Sequence, residues 1–337
     1  MIKFLRRIVL YIRLIVSIGI LIYLITFFDW RRVVEVMSQV RFAYVWPAPV
    51  LLALALYSGG LRWSTLLPYF GIRLKATKAF LYYLIGSFYG IVLPGVIGGD
   101  AVRIGICAAT KKKSVADITA TVLIERMCGI LALLAMGTAA VAVLTPDLRS
   151  ALGPPVIVVI PVLAGASAVA VFAGYLLFGR VFAAWVKGSS TRPPGIAEAV
   201  GRIIRYAREV PPASMAAVFI LSAFFQFSDI LASFFLARAI NIDVSFLILL
   251  AIFPIVYILT VLPVSLGGLG VREGAFAYLL TRVGVLPSDA VMLSFLIYLN
   301  RAFVSLLGGA LQVIWKPAVN LREAEVHAQL EERDVPL

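Results

Sequence analysis

The sequence predicts an all-α polytopic membrane protein with six full spans and two re-entrant helical hairpins arranged as an inverted repeat. Three observations carry that expectation. Of 337 residues, 62% are hydrophobic and only 14% charged, against about 25% charged in a soluble domain, and mean hydropathy is +1.02. Apolar runs of roughly 20 residues, the length that crosses the hydrocarbon core, recur along the chain. Two further apolar segments end in one shared proline–glycine pattern, 169 residues apart.

The full spans fall at about 8–28, 44–66, 118–144, 154–178, 213–238 and 290–314. The first follows Lys3, Arg6 and Arg7 and lacks a small-residue cleavage site, so it reads as a retained signal anchor. Basic residues in short loops mark the cytoplasmic side. By that rule the N-terminus, the Arg73-Lys75-Lys78 loop, Lys111–Lys113, the segment from Arg180 to Arg208, and the Lys316-Arg322 tail all lie inside. The nearly neutral loop at Asp147 and Arg149 can face out. The stretch 29–41 is expected outside although it carries Arg31, Arg32 and Arg41, and reads as an amphipathic interfacial helix.

Those sides constrain the two remaining apolar segments. Lys78 and Lys111 must share a side, so 79–93 is not a lone crossing. It enters, turns at 94–99 and returns through about 101–110. By the same reasoning 245–284 begins and ends outside and enters from the opposite face. Three full spans separate the hairpins, so the halves point in opposite directions, as in many transporters. The expected organisation is one transmembrane domain over 1–316, with repeat one at about 8–144, repeat two at about 154–314, and a short polar cytoplasmic tail at 317–337. The protein is expected in the inner (cytoplasmic) membrane with both termini cytoplasmic.

The turns carry the repeat. Leu93-Pro94-Gly95-Val96-Ile97-Gly98-Gly99-Asp100-Ala101-Val102-Arg103 and Leu262-Pro263-Val264-Ser265-Leu266-Gly267-Gly268-Leu269-Gly270-Val271-Arg272 both read Leu-Pro-x-x-x-Gly-Gly-x-x-Val-Arg. Proline ends the incoming helix, and paired glycines allow a tight turn and close helix approach. The returning helix then presents free amides and a positive dipole end near the midplane, an anion-binding arrangement. Arg103 and Arg272 stand in or near those first turns, and arginine forks suit a phosphate. Asp100 is placed to cap its helix or pair with Arg103. Its counterpart is Leu269, while Glu273 follows Arg272 where the first repeat has Ile104.

Further charge sits inside spans, where it marks pathways by default. Glu125 and Arg126 lie in one, Asn300 and Arg301 in another, and Asp229 with Gln226 form a weaker candidate in the sixth. For Glu125 a purely structural pairing with one of these arginines is an equal reading. Gly59-Gly60 with Arg62-Trp63 reads as close helix packing plus an interfacial anchor. Tyr82, Tyr83, Phe88 and Tyr89 read chiefly as packing aromatics, alternatively as flanks for an acyl or isoprenoid chain. The candidate substrate-binding set is Gly98, Gly99, Asp100, Arg103, Glu125, Arg126, Gly267, Gly268, Arg272, Glu273, Asn300 and Arg301. No catalytic set, metal site or cofactor is expected: His327 is the only histidine, and Cys107 and Cys128 have no partner at metal-ligand spacing. The net charge of +13 fits basic loops against anionic headgroups rather than nucleic acid.

The stretch 93–103, the Glu125-Arg126 pair and the run from Pro263 to Gly274 resemble the lysylphosphatidylglycerol synthase transmembrane region, also called the flippase-like domain family. The resemblance covers about 8–316 and implies a domain that moves lipids between leaflets. Some members carry a soluble aminoacyl-transferase domain. The tail after Lys316 is too short for one, so the resemblance implies the translocation domain on its own. The leading expectation is a flippase for an anionic phospholipid or polyprenyl-phosphate lipid. The alternatives are a membrane enzyme or accessory subunit acting on a lipid phosphate, and a structural partner of a lipid-modifying enzyme. The oligomeric state stays open.

Overall fold

Each long helix begins where the sequence supplies a start signal. In the computed structural model, which describes residues 35, 38–92, 98–173, 209–261 and 268–314, α1 (Pro47–Leu66) opens on a proline, whose missing N–H costs nothing in a first turn. It runs into a 3₁₀ turn, Leu67–Phe70, closed by Gly71 at φ +68°. Two shorter helices follow, α2 (Ala76–Val92) and α3 (Gly98–Lys111). α4 (Val115–Val143) is capped by the Ser114 hydroxyl, which accepts from the Ala116 amide. Thr145 caps α5 (Pro146–Leu152) in the same way through Leu148. A π-helical turn at Pro155–Val159 leads into α6 (Ile160–Ala173). The second half holds α7 (Pro212–Ala239), α8 (Phe246–Val261), α9 (Val271–Thr281) and α10 (Pro287–Ile314).

Among the described residues, four helical segments are long and apolar enough to cross a bilayer: Phe42–Phe70, Val115–Val143, Pro212–Ala239 and Pro287–Gln312. They match four of the six expected spans. The expected 154–178 span is described only to 173, where it is helical; just before it, Pro146–Leu152 and the helix from Pro155 meet at 99° across Gly153, whose φ of +74° suits only glycine. The chain is therefore a multi-pass membrane protein, with four apolar spans among the described residues, or five if the bent pair is one. The expected 8–28 span, the tail 317–337 and the stretches 93–97 and 262–267 lie outside the described residues. Of the expected interfacial helix only 35 and 38–41 are described.

α1 and α7 form the centre. They pack antiparallel with ends matched: the Arg41 amide donates to the Ala239 carbonyl at one end, and Tyr69 and Ser214 share a 2.7 Å hydrogen bond at the other. α2 and α3 lie side by side as an antiparallel pair. Gly86 and Gly99 approach so closely that a Cβ on either would strike the other's backbone carbonyl, and farther along Tyr82 bonds Thr110. In the second half α8 lies against α9, with Phe253 edge-on to Phe276 and Gly268 against Thr260.

The two helix pairs pack across halves. In α4, a Cβ on Gly137 would strike Pro254 of α8. In α10, a Cβ on Gly308 would strike the Leu84 backbone of α2. Small residues at such crossings let backbones approach where lipid supplies no hydrophobic drive. Three apolar clusters result, the smallest at the α2–α10 crossing around Leu52, Leu56, Leu84 and Val304; two are large. One gathers α4, α6, α7, α8, α9 and α10 around Leu133, Ile160, Ile230, Leu249, Phe276 and Leu293. The other gathers α1 to α4 around Trp63, Leu66, Ile85, Ile106 and Ile118.

Candidate functional site

The first helix pair feeds a buried chain of charges. Glu125 is fully buried on α4 and takes arginines on both oxygens. Arg62 donates from Nε to Oε1 at 2.7 Å, and Arg103 from Nη1 to Oε2 at 3.0 Å. Arg103 also donates from Nε to Asp100 Oδ1 at 2.9 Å, and Asp100 Oδ2 accepts from Arg126. The order is Arg62–Glu125–Arg103–Asp100–Arg126, drawn from three helices. Buried ions persist only when paired and hydrogen-bonded, and this chain satisfies each one. Arg62 adds Ser222 at 3.0 Å and the Tyr83 hydroxyl at 3.3 Å. The Arg103 guanidinium lies over the rings of Tyr83 and Trp63, 4.2 and 5.0 Å from their centroids.

One expectation changes here. Arg62 and Trp63 are not an interfacial anchor: both are buried, and Trp63 donates to Thr121 at 2.9 Å. Asp100 spends its two carboxylate oxygens on Arg103 and Arg126. Tyr82, Tyr83, Phe88 and Tyr89 are packing groups, with Phe88 beneath Gly309 and Tyr89 accepting from Gln312 at 2.8 Å.

The second pair is built differently. Glu273 accepts from the Gly270 amide at 2.7 Å and so caps α9, while its other oxygen pairs with Arg272. Arg272 donates to Ser294 of α10 at 3.1 Å and lies over Tyr298. The step of 169 residues that relates the two turns also carries Arg103 to Arg272 and Glu125 to Ser294. The contact between the arginine that follows the glycine pair and the crossing span therefore recurs, with a hydroxyl in place of a carboxylate. Gly268 is described, at φ +77°; Gly267 is not.

Residues 222, 226 and 229 share one face of α7. Ser222 bonds Arg62, Gln226 donates to the Gly129 carbonyl at 3.2 Å, and Asp229 accepts from Arg301 at 2.8 Å. This seam joins the first charge chain to α10. Arg301 stands about 20 Å from either end of its span at 1.5 Å per residue. Its helix face is otherwise closed, with Ser294, Ile297, Val304 and Ser305 buried above and below. Yet its side chain is 48% exposed, so it opens into a gap between helices rather than onto the outer surface. Arg126 is 33% exposed while Arg103 is 3% exposed. Asn300 is half-buried and makes no side-chain hydrogen bond among the described residues.

Among the described residues no three histidine, cysteine or carboxylate side chains gather in a way that could hold a metal. Cys107 and Cys128 are free and buried.

Fold and site together define a polytopic α-helical membrane protein with a polar, arginine-rich interior. Residues 10–309 match the family model described as "Lysylphosphatidylglycerol synthase TM region", and the chain belongs to that family. No curated protein matches it.

Proposed function

We propose that this protein moves an anionic phospholipid or a polyprenyl-phosphate lipid between the leaflets of the inner membrane, with both termini cytoplasmic. One observation carries the reading. The seam holds four arginines (Arg62, Arg103, Arg126 and Arg301) against three carboxylates, Asp100, Glu125 and Asp229. One positive charge is left over deep in the spans, and the two arginines with open faces are the ones that can offer it. A phosphate monoanion neutralises that excess, and guanidinium forks bind it by charge-assisted bonds. Arg103 and Glu125 hold the frame, whereas Arg126 and Arg301 meet the headgroup.

The inverted repeat belongs to this proposal. It is supported by the equivalent contacts at Arg103 and Arg272, and by the cross-half packing of Gly137 on α8 and Gly308 on α2. The outer ends of the first pair are flanked by Gly71 and Lys113, which lie together, while α9 ends beside Leu152. We read those ends as opposite sides of the α1–α7 core, the arrangement that re-entrant pairs entering from opposite faces require. The second-repeat candidates Gly267, Gly268, Arg272 and Glu273, with Asn300, would shape the passage from the other side, and Gly98 and Gly99 the near side.

The test is leaflet transfer of a fluorescent phosphatidylglycerol in proteoliposomes, scored by quenching from outside. Arg126→Ala and Arg301→Ala each lose at least ~10-fold in rate, the scale of one charge-assisted hydrogen bond, with the lipid recovered chemically unchanged. Wild-type transfer in both variants defeats the proposal.

A further inference from the structure

A second place in the molecule gathers cations without carboxylates. Where α1 runs out through its 3₁₀ turn and α3 ends, Pro68, Gly71, Ile72, Arg73, Lys111 and Lys113 enclose a cleft of about 420 Å³. That volume falls in the ~300–1,000 Å³ range of small-molecule sites. Three of its six lining residues are cationic, and among the described residues none of the three pairs with a carboxylate. Both walls end in left-handed turn residues, Gly71 at φ +68° and Lys112 at φ +49°. The turns are tied down by backbone bonds from Gly71 to Pro68, from Ile72 to Leu67 and from Lys113 to Ala108. Like charges held together on a fixed frame repel one another unless an anion lies between them.

The geometry points to an anion site at this cleft that takes a phosphate-bearing headgroup from the adjoining leaflet. This deepens the transport reading and rests on it, since α3 links the cleft to the charge chain. Lys111 and Asp100 stand eleven residues apart on that helix, about 16 Å at 1.5 Å per residue. A headgroup gathered here stands one helix-length from the Asp100–Arg126 pair. Bulk positive charge on this face, which orientation alone requires, does not account for three cations around one concavity.

The full-length protein in nanodiscs of phosphatidylcholine with a few per cent phosphatidylglycerol tests this, reading retained phosphatidylglycerol by native mass spectrometry. The wild type retains the anionic lipid preferentially. Lys111→Gln/Lys113→Gln lowers that preference by ~10-fold, as loss of two cations beside an anionic headgroup does. Lys75→Gln/Lys78→Gln removes equal charge from the same face outside the cleft and leaves the preference intact. Lys111→Arg/Lys113→Arg restores it. Equal loss in both glutamine pairs, or no loss in the first, overturns the site. Inorganic phosphate at millimolar concentration distinguishes the sources: retention that survives it marks a lipid headgroup, and displacement by it overturns the lipid assignment in favour of free phosphate. Transfer measured on the same proteins separates the two readings. A wild type that retains lipid through the cleft without moving it defeats transport alone, and one that moves lipid with no cleft effect defeats the cleft alone.

Discussion

At the scale of single residues the interior is decided by how many partners each ion has. Glu125 serves Arg62 and Arg103 together, so removing it leaves Arg62 with no carboxylate and Arg103 with Asp100 alone. Removing Arg62 leaves Glu125 its second arginine. Breaking a buried pair typically costs ~3–5 kcal/mol. Glu125→Ala should therefore fall in or above that range and Arg62→Ala below Glu125→Ala, read as thermal unfolding of the detergent-solubilised protein. A larger loss for Arg62→Ala would mean that Ser222 and Tyr83, rather than Glu125, hold that guanidinium. Ser294 occupies the place equivalent to Glu125 but shares Arg272 with Glu273. Ser294→Ala should cost ~1.5–3 kcal/mol, the range for hydrogen bonds to charged groups, since Ser294 accepts from Arg272 and donates to Glu273. The sequence reveals Glu125, Arg126, Arg103 and Arg301 because a charge in an apolar run has few innocent explanations. It conceals Arg62, which stands four residues before the helix end, where a long basic side chain normally reaches the interface. It conceals Ser222 and Ser294 as well, since serine is ordinary inside membrane helices. Which arginine is closed and which is open depends on helix rotation, and hydropathy carries no record of that.

At the scale of elements, glycines set how near the halves come. Gly308 faces the backbone of Leu84 and Ile85, whereas its neighbour Gly309 faces only the Phe88 ring. A side chain can turn aside and a helix backbone cannot, so Gly308→Ala should destabilise by ~1–3 kcal/mol, the usual range for overpacking. Gly309→Ala should cost clearly less, and comparing the two unfolding midpoints checks this. If the two variants unfold alike, α2 has room to slide along α10, and the crossing is not the fixed contact the geometry implies. Long elements were readable because a 20-residue apolar run leaves the bilayer few alternatives. Four expected spans stand where the hydropathy put them. The break at Gly153 was not readable, because Gly-Pro-Pro at 153–155 equally suits a loop before a span. The short helix α5 also depends on Thr145 as a cap, a local signal that hydropathy averages away.

At the scale of the whole molecule the question is which side each helix pair enters from. Ala101 and Leu269 occupy nearly equivalent places beside the two glycine pairs, and both are exposed. Cys107 and Cys128 are buried, so a cysteine introduced at either position is distinguishable from the native thiols. If the pairs enter from opposite faces, Ala101→Cys reacts with a membrane-impermeant maleimide added on the cytoplasmic side and Leu269→Cys from the external side, in vesicles of known orientation. Substrate should slow both reactions, because each position borders the region where the arginines open. Labelling of both from one side would place the pairs in parallel. The contact of Arg103 with Glu125 and that of Arg272 with Ser294 would then be unrelated, and alternating access would lose its structural basis. Opposite labelling would instead mean that the leftover positive charge of the seam can be reached from either leaflet by moving one pair at a time. That is what passage of a phosphate headgroup demands, since at no point can it be left in hydrocarbon without a cation beside it.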